Sequence, residues 1–250
     1  MSIKYFYELI QNSYNYYVDL KNINIKEIKN LDNFTGIVPV FPLSTVVFFP
    51  NTLLPLHIFE QRYKNMLSDS LTSEKIIAMA LLKLGWDDNY YGNPEIFDVA
   101  GMGRIVSSET FDDGRSNIVL YGLKRIKIVE FTEDMPYRKA RIEILSNRNG
   151  NDETGLKEKL KNTVSDWNDM LGTKYKEHRF DINMNLPLGN LTDVMASVIF
   201  TNIFEKQTFL EETDVENRAK MMIESIETRL QNAKITSTRI DSIVNTRNLN

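Results

Sequence analysis

Leu53-Leu54-Pro55-Leu56-His57-Ile58-Phe59-Glu60-Gln61-Arg62-Tyr63 changes its period in mid-stretch, and that change sets the fold class. Up to Phe59 it is a short apolar run broken by a proline. This is the texture of an edge strand or a strand end, because proline has no N–H to donate to a ladder. From Glu60 onward Tyr63, Met66, Leu67 and Leu71 recur at three- and four-residue spacing, which is one face of a helix. Upstream, Val38-Pro39-Val40-Phe41-Pro42-Leu43 and Val46-Val47-Phe48-Phe49 repeat the strand texture. Phe41, Phe48, Phe49, Leu56 and Phe59 are read as core residues.

Downstream the strand texture continues. Ile76–Leu82 reads as a buried strand, followed by a polar loop from Gly85 to Gly92 and strand-like runs at Phe97–Val106, Ser116–Tyr121, Lys124–Glu130 and Arg138–Leu145. Asp112-Asp113-Gly114-Arg115 lies between two of them, and Asp-Gly supplies the positive φ of a tight hairpin. Gly101 and Gly103 inside a strand mark a bulge or close packing. Ser146–Gly155 is polar and contains glycine, the expected linker. Beyond it the period is helical: an amphipathic helix at Leu156–Leu171 and a more apolar one at Leu191–Leu210. A last helix buries Val215, Ala219, Met222, Ile226 and Leu230. Thr213 and Glu216 have the spacing of a capping box.

The expected class is therefore α+β, with a β-rich domain over 36–145 and a helical domain over 156–235. A polar tail occupies 236–250. Residues 1–35 form an extension in which Phe6, Leu9, Ile10, Tyr17 and Leu20 suggest a weak docking helix.

Composition excludes several functions. The 250 residues carry a formal charge of −4, which gives no general attraction to nucleic acid or anionic membrane. There is no cysteine, so disulfides, thiolate catalysis and thiolate metal sites are absent together. No run approaches the ~20 apolar residues of a membrane span. The start, Met1-Ser2-Ile3-Lys4-Tyr5-Phe6-Tyr7-Glu8, reaches an acidic residue before a signal-peptide core could form, so a cytoplasmic location is expected.

Catalytic signatures are also missing. No Gly-x-x-x-x-Gly-Lys-Ser/Thr loop cradles a phosphate, and no Gly-x-Ser-x-Gly elbow presents a nucleophile. The two histidines, His57 and His178, are far apart: the first reads as a hydrogen-bonded structural residue, the second as solvated. Asp112 and Asp113 are explained by the turn. No metal or other cofactor is expected. Lys124, Arg125 and Lys127 with Arg138, Lys139 and Arg141 form the one basic candidate for RNA. Glu130, Glu133, Asp134 and Glu143 are interspersed, so the expectation is a solvated strand surface.

Taken in order, these segments resemble the amino-terminal domain of Lon-type proteases over roughly residues 37–232. The opening signature carries Pro42, Leu43 and Pro50, then Pro55, His57, Phe59, Glu60, Arg62 and Tyr63. Gly101-Met102-Gly103-Arg104-Ile105 follows, with glycine where that family writes alanine. Asp113–Asn117, Gly122-Leu123-Lys124-Arg125 and Pro136-Tyr137 come next. Leu191-Thr192-Asp193, Glu205-Lys206-Gln207, Leu210-Glu211 and Asp214-Val215-x-x-Arg218 complete the series. The resemblance implies a PUA-like β-barrel or pseudobarrel followed by a C-terminal helical bundle. It further implies a non-enzymatic module, without ATPase or peptidase, that binds unfolded protein or peptide segments or another protein such as a protease or chaperone. RNA binding through the barrel, or an uncharted small-molecule or hydrolytic role, stays open as the alternative.

The signature residues, Gly101 and Gly122 included, are explained by packing, with Arg62 expected to pair with a carboxylate such as Glu60 or with a strand-end carbonyl. Contact residues are sought in the groove between the halves and in the Gly85–Gly92 loop, where Trp86, Tyr90 and Tyr91 stand on a polar segment and either contact a partner or pack onto the helical half. The purified protein is expected neither to hydrolyse ATP nor to cleave casein. Turnover abolished by a point substitution in this chain would overturn that reading.

Overall fold

The computed structural model describes residues 24–89, 92–150, 152–172 and 179–247. The stripe at Phe6–Leu20, Tyr90, Tyr91 and His178 lie outside the described residues. In chain order the elements are α1 (Ile25–Ile28), β1 (Ile37–Leu43), β2 (Leu53–Ile58), α2 (Gln61–Leu71), β3 (Ile76–Leu81), a 3-10 turn (Trp86–Asn89), β4 (Val99–Thr110), β5 (Ser116–Glu133) and β6 (Lys139–Leu145). The helices α3 (Glu153–Leu171), α4 (Leu188–Ile199), α5 (Ile203–Glu211) and α6 (Val215–Arg247) follow. The fold is a mixed α+β one, with a single six-stranded sheet.

The strand order is β2-β5-β4-β3-β1-β6, and β5 also pairs with β6, so β5, β4, β3, β1 and β6 form a closed circuit of neighbours. What permits this is the length of β5. The Ser116–Tyr121 and Lys124–Glu130 runs, expected to be separate, are one 18-residue strand. Its first part pairs with β2 and β4, and its second part reaches β6. Register shifts at Ile128/Glu130 and Phe131/Glu133 let it coil, as bulges do.

Proline is tolerated in β1 for a reason the sequence does not display. Of the two placements its prolines allowed, edge strand or strand end, β1 is not an edge strand but lies between β3 and β6, and Pro42 stands next to its end. Residues 37–39 pair with β6 and residues 40–43 with β3, so each proline sits where the pairing is one-sided. Pro55 does lie in a strand at the end of the order, β2. Phe59, expected in the core, is 60% exposed, because Ile58 at 1% already points inward and the next residue of an extended chain must face out.

Two glycine-lined strands allow a crossing segment to lie on the sheet. A Cβ on Gly101 would stand 1.9 Å from the Phe48 carbonyl oxygen, and one on Gly122 would stand 2.1 Å from that of Phe49. The Phe48–Phe49 backbone therefore rests directly on β4 and β5. From there Phe48 enters the core under α2, while Phe49 enters the helical core, where its ring lies 6.1 Å from Phe209. That helical core joins Leu160, Leu191, Met195, Leu210, Met222 and Ile226 from four helices.

The helical half departs from expectation at three points. The apolar run at 191–210 is two helices, because Asn202 accepts from the Phe204 and Glu205 amides and caps a new one. The Thr213/Glu216 capping box does not form. Asp214 accepts from the Asn217 amide instead, and Glu216 accepts from the Asp152 amide at 2.7 Å. The expected linker is thereby tied down, with Arg148 also bonded to Thr213 and Val215 through the backbone. The helix α6 itself continues to Arg247, through the stretch read as a polar tail. At the other end, Arg104 donates to the carbonyls of Glu27 and Asn30 and holds α1 on the sheet, as a cation at a helix C-terminus should.

The halves are joined by a buried ionic trio. Arg125 of β5, Asp193 of α4 and Arg218 of α6 are 2%, 1% and 0% exposed. Arg125 donates bidentately to Asp193 (Nη1 to Oδ2 at 2.9 Å, Nη2 to Oδ1 at 2.5 Å), and its Nε donates to the Leu210 carbonyl at 2.9 Å. Arg218 Nη1 donates to the same Asp193 Oδ1, and Nη2 to Asn147 Oδ1 at 3.0 Å. Its Nε has no partner. Burial pushes Arg218 down to about 10, opposed by the Asp193 carboxylate and reinforced by repulsion from Arg125.

Two stability measurements check this account. Gly101→Ala should lose about 3 kcal/mol or more, because the obstructing atom is backbone, whereas Gly85→Ala, at φ +84° with open space around it, should lose only about 1–2 kcal/mol. Equal losses would remove the crossing from the explanation. Asp193→Ala strands two buried guanidiniums and should lose about 3–5 kcal/mol, most of it recovered in the triple variant Arg125→Met/Asp193→Leu/Arg218→Met. A triple variant as unstable as the single one would show that shape and not charge governs the site.

Candidate functional site: an apolar cleft beside the helix between β2 and β3

The start of α2 projects Glu60, Arg62 and Tyr63 toward a cleft of about 510 Å³. Pro42 and Leu43 at the end of β1 form one wall, Leu82 and Trp86 a second, and Met135, Pro136 and Tyr137 of the β5–β6 connection a third. The peptide bond between Met135 and Pro136 is cis. Trp86 is half-buried and packs against the core that contains Val40, Ile96 and Ala100, so it is both wall and core. Met135, at 80% exposed, stands at the rim.

Several of the polar groups around the cleft are engaged within the protein. Arg62 Nε donates to Glu60 Oε2 at 3.0 Å, and its guanidinium lies 4.7 Å from the Tyr63 ring centroid. Tyr63 in turn packs on Phe41 with centroids 4.1 Å apart. The Tyr137 hydroxyl donates to Asp69 Oδ2 at 2.6 Å, and burial together with that bond raises its pKa. Arg138, 6% exposed, donates to Asn93 Oδ1 and to the Pro94 carbonyl at 2.8 Å, with its guanidinium over the Phe131 ring. Burial lowers its pKa, with Asp134 opposing. What remains for a ligand is mainly apolar wall.

His57 is exposed on β2, with Nδ1 2.6 Å from Asn117 Oδ1 and its ring stacked on Phe59, away from the cleft. No group of three metal-ligating side chains occurs among the described residues, and no described helix is long and apolar enough to cross a membrane. Nor do the basic residues of β5 and β6 make one face. Arg125 and Arg138, expected on a solvated surface, are buried, because their guanidiniums find an internal carboxylate or internal carbonyl and amide oxygens. Lys139 pairs with Glu133 and Arg141 with Glu130.

The structure thus brings together Pro42, Leu43, Glu60, Arg62, Tyr63 and Trp86 from the sequence candidates. Pro50, Pro55, His57, Phe59, Gly101 and Gly122 lie elsewhere. The wall made by Met135–Arg138 was not anticipated, and its one sequence signal is Met135-Pro136-Tyr137, an apolar triplet where two strands meet.

Solved structures share this architecture. The N-terminal domain of the Mycobacterium avium complex Lon protease superposes with a TM-score of 0.58 at 15% identity, covering 76% of this chain and 98% of that one. The Lon N-terminal domain protein of Xanthomonas campestris gives 0.53 at 17%, covering 75% and 97%. The fold is therefore that of Lon N-terminal domains. Residues 37–228 match the family model of the ATP-dependent protease La (LON) substrate-binding domain, and the chain belongs to that family. Among full-length relatives, the Lon protease of Anaeromyxobacter dehalogenans is 27% identical over 221 residues, 86% of this chain and 26% of that protein. That of Dictyoglomus thermophilum is 28% identical over 196 residues, 77% and 24%. The chain thus spans about a quarter of the length of these relatives.

Proposed function

We propose that this protein is a binding module for unfolded or extended polypeptide, without catalysis of its own, and that the cleft between β1, α2 and the β5–β6 connection holds apolar side chains of the bound segment. The circuit of β5, β4, β3, β1 and β6 is read as a PUA-like barrel over 36–145, and α3–α6 as a helical bundle over 156–235. The reading rests on one observation above others: a concave apolar surface with an almost fully exposed methionine at its rim. A volume of 510 Å³ lies inside the usual range of about 300–1,000 Å³ for ligand sites.

Magnitudes favour transient engagement. One large aromatic side chain buries about 150–250 Å², worth roughly 4–6 kcal/mol before ordering costs are subtracted. A single anchor therefore gives at most weak affinity, and useful binding needs a segment that also touches the rim. Such weak, sequence-tolerant capture suits unfolded chains in general, with a cytoplasmic protease or chaperone as the natural recipient of the bound chain.

The test uses reduced, carboxymethylated lactalbumin as a permanently unfolded probe, read by fluorescence anisotropy. Met135→Asp places a charge at the apolar rim and should weaken binding about tenfold while leaving Tm unchanged, since the side chain is almost fully exposed. Unaltered affinity, or equal binding of native folded lactalbumin, would overturn the assignment.

A further inference from the structure

A second cavity, of about 270 Å³, shares no lining residue with the apolar cleft and lies against Arg125 and Asp193 of the buried trio. Its walls are Lys29 at the end of α1, Asn51, Lys124 of β5, Asn147 and Asn190, with Arg125 and Asp193 behind them. We propose that this cavity is a binding site for a phosphate-type oxyanion, free or as a phosphomonoester, held by the ammonium groups of Lys29 and Lys124.

The charge count carries the argument. Asp193 is the one carboxylate on the wall, and both its oxygens are taken by guanidiniums. Two arginines share that single negative charge, so the three groups by themselves are net positive, with Glu212 a further carboxylate that acts on Arg218 from outside the wall. Lys29 and Lys124 add two further cations, and among the described residues neither has a carboxylate at ion-pair distance. Like charges are brought together at a cost unless something negative sits between them. At Lys29, an exposed residue like Lys124, partial burial foremost and repulsion from Lys124 second lower the pKa.

The wall also supplies oriented donors. Lys29 Nζ donates to Asn51 Oδ1 at 2.6 Å, and an ammonium has three protons, so two remain. Asn51, at φ 61°, accepts at Oδ1 from both Lys29 Nζ and the Tyr121 hydroxyl. Arg218 occupies Asn147 Oδ1, so the remaining polar atom of that side chain is its amide nitrogen, a donor. Asn190 stands in the first turn of α4, where unpaired backbone amides add positive potential. The size separates this site from the apolar cleft. At 270 Å³ it falls below the range of larger ligand pockets, and it suits a small polar anion rather than a length of polypeptide. Lys29 lies outside the 37–228 family match, so the site is assembled partly by the segment preceding it.

Isothermal titration of the full chain with sodium phosphate, against sodium chloride at matched ionic strength, tests the proposal, with glycerol 3-phosphate as the ester arm. Saturable binding of either anion, weakened about tenfold or more in Lys29→Gln/Lys124→Gln at unchanged Tm, is the expected result. Binding of phosphate alone or of the ester alone assigns the source within the proposal. No saturable binding of either anion, or binding unaltered in the double variant, would overturn it.

Discussion

One carboxylate, Asp193, holds the molecule together. It is the shared acceptor for guanidiniums from the sheet and from the last helix, all three groups being withdrawn from water. A buried ion pair is weak evidence of net stability, because desolvation consumes most of the Coulombic gain. Its effect is on geometry. Only one arrangement of β5, α4 and α6 satisfies both arginines, and any slip leaves a charge uncompensated in the interior. Arg218 Nε, which lacks a partner even in the native state, shows how little slack the site has.

Apolar contact between the halves depends on a second constraint, clearance. Phe48 and Phe49 point into different cores because their backbone lies flat on β4 and β5, where Gly101, Gly103 and Gly122 present no Cβ. One dipeptide thus staples the sheet to the helices, and the trio fixes the angle at which it does so. The polar crossing follows the same logic at its described residues: Asn147, Arg148 and Asp152 are each hydrogen-bonded to α6 or to the residues just before it.

The two cavities divide the surface by chemistry. On one side the Arg62–Glu60, Tyr137–Asp69 and Arg138–Pro94 contacts engage polar groups and leave mainly apolar wall. On the other, the surplus positive charge of the trio and two nearby lysines leave a polar hollow. The proposed polypeptide and oxyanion sites therefore share no lining residue.

The sequence alone determined the class of the chain and most of its elements. Period-2 and period-3.6 patterns mark them locally, and the ordered motifs point to the Lon amino-terminal family. It also placed Trp86, Arg62 and Tyr63 among the candidates, though not beside one another. Other features were invisible there. Asn202 splits what reads as one apolar helix, and a residue's capping role depends on backbone angles that composition does not reveal. Phe59 faces out because Ile58 has already taken the inward position. Arg125, Asp193 and Arg218 stand in three separate motifs, and nothing in their sequence spacing shows that they meet. Only tertiary structure brings them within hydrogen-bonding distance, because the energy of a buried charge depends on which other charge is buried with it.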